Sequence, residues 1–113
     1  MTVRLRRVYD EPADDDGFRV LVDRLWPRGL TKERAGVDLW LKEVAPSTEL
    51  RQWFHQQEQP FDEFAERYRA ELAENPAVPQ LRAVVADHPV VTLLYGAKDP
   101  VHNQAAVLRD LLY

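Results

Sequence analysis

Two apolar runs constrain the fold of this chain more than anything else in it: Phe18-Arg19-Val20-Leu21-Val22-Asp23 and Val90-Val91-Thr92-Leu93-Leu94-Tyr95. The first has a near-continuous apolar centre, and the second is apolar almost throughout. A strand with one wet face would alternate, so these read as strands buried on both faces, as in a parallel or mixed sheet. Each run leads directly into a polar segment. The first ends in Asp23-Arg24-Leu25-Trp26-Pro27-Arg28-Gly29, the second in Gly96-Ala97-Lys98-Asp99-Pro100-Val101-His102-Asn103. If the two strand ends lie side by side, Arg24, Arg28, Tyr95, Lys98, Asp99 and His102 converge on one pocket. Sites in layered α/β folds gather at the carboxyl ends of strands.

The remaining elements fit that class. Val3 to Val8 reads as a strand, with Val3 and Leu5 alternating with Arg4 and Arg6. Glu11-Pro12-Ala13-Asp14-Asp15-Asp16-Gly17 reads as a solvated acidic loop. It is short for a parallel crossover, which leaves the relative direction of the first two strands open. Thr31 to Arg34 suits one helical turn, and Val37 to Val44 alternates as a third strand. Ser47 is placed to cap a helix running to about Phe54. Pro60 opens a helix with Phe61, Phe64, Ala65, Tyr68 and Leu72 on one apolar stripe and a Glu63–Arg67 pair outside. Another helix covers about Val78 to Ala86, with Val78, Leu81 and Val85 inward, and ends at Asp87-His88-Pro89. In the last unit Asp99 is the expected N-cap and Pro100 the first helical residue. Val101, Ala105, Leu108 and Leu112 then form the core face, with His102 and Asn103 in the first turn. Strand, glycine turn and helix start together make a generic anion cradle. The expectation is a single α/β layered domain, with a small mixed or mostly parallel sheet flanked by helices and a C-terminal strand–loop–helix unit.

Composition excludes several functions. The 113 residues suit one domain, and 45% hydrophobic with 30% charged residues is ordinary for a globular chain. There is no cysteine, so disulfides, thiolate metal sites and cysteine nucleophiles are ruled out. A formal net charge of −4 argues against generic nucleic-acid binding through phosphate neutralisation. The chain opens on strand-like sequence with no apolar signal core, and its longest apolar stretch is far short of a membrane span, so a cytoplasmic location is expected. The aromatic content gives no patch from which an oligomeric state follows.

The polar residues each admit two readings. Arg24 and Arg28, flanking Trp26-Pro27, can grip a phosphate or carboxylate with their guanidinium forks, or pair with Asp23, Asp38 or Glu43. Gly29 permits a backbone turn beside them. Trp26 and Trp40 can stack on a ring or plug the core. Asp23 can act as a base, orient an arginine or cap backbone amides. Lys42 reaches the pocket or snorkels to water. Lys98 resembles a phosphate-binding lysine in position, without a Walker pattern before it. His102, near a helix start, is expected neutral and able to act as a base, and Tyr95 can donate to a substrate. Gly96, Asp99 and Asn103 complete the candidate binding set, with His102, Asp23 and Tyr95 as candidate proton handlers. Asp99 and His102 lack a third metal ligand unless Asp23 or the acidic loop supplies one, so neither metal nor cofactor is expected. These groups favour an enzyme, or former enzyme, acting on a small phosphorylated or carboxylated molecule. The alternative is a non-enzymatic module that senses such a ligand or associates with nucleic acid.

Three motifs carry a resemblance: Arg19 through Gly29, Trp40-Leu41-Lys42-Glu43-Val44-Ala45-Pro46-Ser47, and Leu93 through Asp99 with His102-Asn103. In this order they resemble the YeaO-like family of domains of unknown function, over nearly the whole chain. The resemblance implies a small bacterial cytoplasmic α/β domain of no established activity. The wider superfamily often carries a cysteine after the last strand and a later Cys-His pair. Here Tyr95 and Val101 stand at those places, so thiol or cysteine–metal chemistry does not carry over.

Overall fold

The structure, a computed structural model, describes residues 2–56 and 59–113. Among the described residues four strands, β1 (Thr2–Arg7), β2 (Phe18–Leu21), β3 (Leu39–Trp40) and β4 (Val90–Tyr95), form one sheet in the order β1-β4-β2-β3. Every pairing is parallel, with Val3 opposite Val91, Val20 opposite Leu93 and Leu21 opposite Trp40. The two apolar runs are therefore neighbours at the centre of the sheet. The direction that the acidic loop left open is also decided: β1 and β2 run the same way with β4 between them.

Side chains alternate across the strands and give the sheet two covered faces. Val20, Val22, Val91, Leu93 and Tyr95 face a large core with α2 (Thr48–Gln56), α3 (Phe61–Ala73), α4 (Ala77–Asp87) and α5 (Gln104–Leu112). Leu21, Leu94 and Val8 face a smaller cluster under the short helix α1 (Lys32–Ala35), where Trp26, Leu30 and Val37 close it. Phe64, Ala65, Tyr68 and Leu72 of α3 are buried, as are Val78, Leu81 and Val85 of α4, on the stripes read from their spacing. Ser47 caps α2, its Oγ accepting from Leu50 N–H at 3.1 Å.

Three expectations are corrected. The third strand pairs only at Leu39–Trp40, and Lys42–Val44 form a 3₁₀ turn instead of continuing it. Side chains from the helical layer capture the carbonyls there: Asn75 Nδ2 donates to Glu43 O (2.9 Å) and Tyr68 OH to Val44 O (2.5 Å). Asp16 is buried rather than solvated. It bonds Arg19, Arg6 (3.0 Å) and Ala13 N–H (3.0 Å), while its own carbonyl accepts from Thr92 Oγ1 (2.6 Å). Burial pushes its carboxyl up, but these partners together hold it below the usual range.

The last correction concerns the C-terminal helix. Asn103, extended at φ −148° and ψ 167°, caps α5 by accepting Ala106 N–H at 3.0 Å. Asp99 instead closes a local turn, accepting from Val101 N–H (2.9 Å) and His102 N–H (3.0 Å). Val101, outside the helix, is 63% exposed rather than in the core.

Candidate functional site

The carboxyl ends of β2 and β4 open onto a cleft of about 320 Å³. Its ionisable lining includes Asp23, Arg24 and Arg28 from the segment after β2, and Arg51 and His55 from α2. Gly96 and Ala97 after β4, Gln104 at the start of α5, Ala45-Pro46 and Tyr9 close the remaining sides.

The segment after β2 is held rigidly. Trp40 Nε1 donates to Asp23 O (2.8 Å), and Trp26 Nε1 donates to Leu30 O (2.8 Å). The two indoles meet edge to face at 5.5 Å. Leu30 N–H closes onto Pro27 O at 3.3 Å across Gly29, whose φ of +84° is why glycine stands there. Tyr9 OH donates to Arg28 O (3.2 Å) from the opposite rim.

Asp23 is the carboxylate of the cleft among the described residues, and both of its oxygens are engaged. Oδ2 accepts from Gly96 N–H at 2.7 Å and Oδ1 accepts from Gln104 Nε2. A Cβ on residue 96 would stand 2.9 Å from Oδ2, so only glycine lets the carboxylate sit there. Burial raises Asp23 to about 6, against the opposing pull of Gly96, Gln104 and the Arg51 charge.

The arginines are bound far less. Arg24 donates to Ala45 O at 3.3 Å, while its Nε and that of Arg51 are buried and meet no acceptor among the described residues. Neither guanidinium forms an ion pair among the described residues. Buried polar groups are nearly always satisfied, so two unsatisfied ones in a single cleft are unusual. Chemically the cleft offers two half-buried cations with spare donors, a third cation (Arg28) on the rim, and one neighbouring carboxyl that titrates near 6.

The other sequence candidates lie elsewhere. Tyr95 is buried against the helical layer, its hydroxyl pushed up chiefly by burial, and it faces a separate groove beside Arg6, Arg7 and Arg109. Lys42 is exposed, with its ammonium 5.3 Å from the Trp40 ring centre. Lys98 is exposed beyond the cleft lining. His102 Nδ1 lies 3.3 Å from Asp99 Oδ2, and its ring packs 5.0 Å from Phe61. Among the described residues no group of three His, Asp or Glu is placed to hold a metal. Asn103 serves as the helix cap described above.

Sequence reasoning missed Arg51, His55, Gln104 and Tyr9. Arg51 and His55 stand four apart on one helical face beside the apolar Leu50, Trp53 and Phe54, which is a usable signal. Gln104 carried none.

The family described as the inactive DUF488-N3 subclade matches residues 2–113. The chain belongs to this family. The uncharacterised protein Rv3073c of Mycobacterium tuberculosis is 47% identical over 110 residues, covering 97% of this chain and 92% of the relative. The uncharacterised protein YeaO of Escherichia coli is 46% identical over 112 residues, covering 99% and 97%. The resemblance read from the three motifs is thus borne out, and the relatives named here are bacterial. No solved structure matches the chain. No helix among the described residues is long and apolar enough to cross a membrane.

Proposed function

We propose that the chain is a binding module for a small anion, a phosphorylated or carboxylated molecule, held in the cleft at the ends of β2 and β4. One observation carries this reading: Arg24 and Arg51 line the same cleft, half-buried and without an ion pair among the described residues, and the buried Nε of each meets no acceptor there. An oxyanion is the ligand that satisfies such donors, in forked geometry where both lie in its plane. Arg28 adds charge at the rim. Binding without turnover is supported by the positions of His102 and Tyr95 outside the cleft, and by the family's description as inactive.

A thermal-shift screen against phosphate, sulfate, sugar phosphates and carboxylates, with Arg51→Gln alongside, tests it. A ligand that binds only the folded state raises its melting temperature. A selective rise that disappears in the variant is expected; no rise with any anion overturns the reading.

One observation favours a second reading. A carboxyl titrating near 6 beside bound anion is suited to general acid–base work. In that case Asp23 moves a proton on the ligand, and the ligand is chemically altered after prolonged incubation. Recovery of the ligand unchanged supports the binding module.

A further inference from the structure

We propose that the cleft takes up its anion together with a proton, and that Asp23 holds the proton. The inference rests on the anion-binding reading above. Asp23 shares the cleft with the guanidiniums that would grip the ligand, yet it pairs with neither of them. Ionised, it cancels part of their field and repels an entering anion. Protonated, it leaves that field whole.

The groups facing it come from several elements. Arg24 and Arg28 belong to its own segment, Arg51 and His55 to α2, and Gln104 to α5. Tyr68 of α3 feels its charge from within the core. The Gly96 N–H holds Oδ2 in either state, so the added proton sits on Oδ1. From there it is donated to Gln104 Oε1 once that amide turns over, which keeps the two side chains hydrogen-bonded to each other. The carboxyl already titrates near 6 without ligand, and an anion beside it raises that value further. By reciprocity, whatever the anion does for the proton, the proton does for the anion.

Sulfate is the suitable probe, because it stays fully ionised where Asp23 titrates. Its affinity for the full chain is measured by calorimetry from about pH 5 to about pH 8; the dissociation constant is expected to rise steadily, approaching about tenfold per pH unit on the alkaline side. Sulfate binding is also expected to take up protons, seen as a dependence of the binding heat on the buffer's ionisation enthalpy. That readout needs no variant. Asp23→Asn keeps the Gly96 bond with its oxygen and donates its amide to Gln104, and it should bind sulfate with a flat pH profile. His55→Gln should keep the wild-type slope. A pH-independent affinity in the wild type, a slope retained in Asp23→Asn, or a slope lost in His55→Gln each overturns the coupling. Absence of sulfate binding at every pH overturns the coupling and the anion-binding reading with it.

Discussion

At the scale of single residues, Asp23 and Gly96 depend on each other. The carboxylate approaches the backbone of residue 96 closely enough that a methyl group there would stand 2.9 Å from Oδ2. Gly96→Ala must displace a carboxylate held at both oxygens. The expected cost is about 1–3 kcal/mol in urea unfolding, the range for a buried acceptor losing its donor; a cost below about 0.5 kcal/mol would show that Asp23 is free to move aside. The charge state of Asp23 also enters stability. Its carboxyl is raised from 3.8 to about 6 on folding, so the folded state prefers it protonated. The stability it contributes is present below the unfolded value and lost as pH rises through about 6, a difference of about 3 kcal/mol. Asp23→Asn, neutral throughout, should therefore gain on the wild type as pH rises from about 4 to about 7 in paired denaturation curves. A constant difference would contradict this. Asp23, Arg24 and Gly96 were legible in the sequence because each follows a strand end directly. Gln104 reaches the cleft only through helix packing, which no local pattern encodes, and the spacing that sets Arg51 beside His55 on one helical face does not say that this face meets the ends of β2 and β4.

At the scale of elements, capping separates what was readable from what was not. The strand–loop–helix unit was evident, but Asp-Pro looked like a helix start and is not one. Asp99 spends its carboxylate on the turn at Val101 and His102, and the helix waits for Asn103. Asn103→Ala is therefore expected to cost about 1–2 kcal/mol in chemical denaturation, from a lost and buried cap, and Asp99→Ala clearly less. The reverse order would return the cap to Asp99. The third strand failed for a related reason. The pattern from Val37 to Val44 alternates well, yet the chain turns at Lys42–Val44, where the Asn75 and Tyr68 side chains take the Glu43 and Val44 carbonyls. Such captures come from residues far along the chain. Helices α3 and α4 were legible because their stripes answer to one large core, which leaves periodicity in charge.

At the scale of the whole molecule, the sheet has a structural pole and a polar cleft. Near the acidic loop, Arg19 is 5% exposed and donates to Asp16, Gly36 O (2.9 Å) and Ala35 O (2.8 Å). Each of the three guanidinium nitrogens donates there, whereas the Nε atoms of Arg24 and Arg51 meet no acceptor among the described residues. Breaking that buried pair with Asp16→Ala is expected to cost about 3–5 kcal/mol by thermal or urea unfolding. The two poles also oppose each other in acid. Asp15 and Asp16 of the acidic loop are held below the ordinary carboxylate value, so the stability they contribute is lost as pH falls through their low folded values. Asp23 works in the other direction. The melting temperature should therefore peak near the ordinary carboxylate value, at about pH 4, rather than at neutrality. The parallel layered fold followed from the two apolar runs, but the difference between a satisfied arginine and an unsatisfied one is written only in three dimensions.

The central claim is that Arg24 and Arg51 have spare donors for an anion. The most direct measurement follows the arginine Nε–H resonances by NMR while phosphate is added at mildly acidic pH. The account predicts that the Arg24 and Arg51 signals move and saturate together, while that of Arg19, whose Nε already donates to Gly36 O, stays in place. Still signals at Arg24 and Arg51, or a uniform unsaturable drift of every arginine, would contradict it.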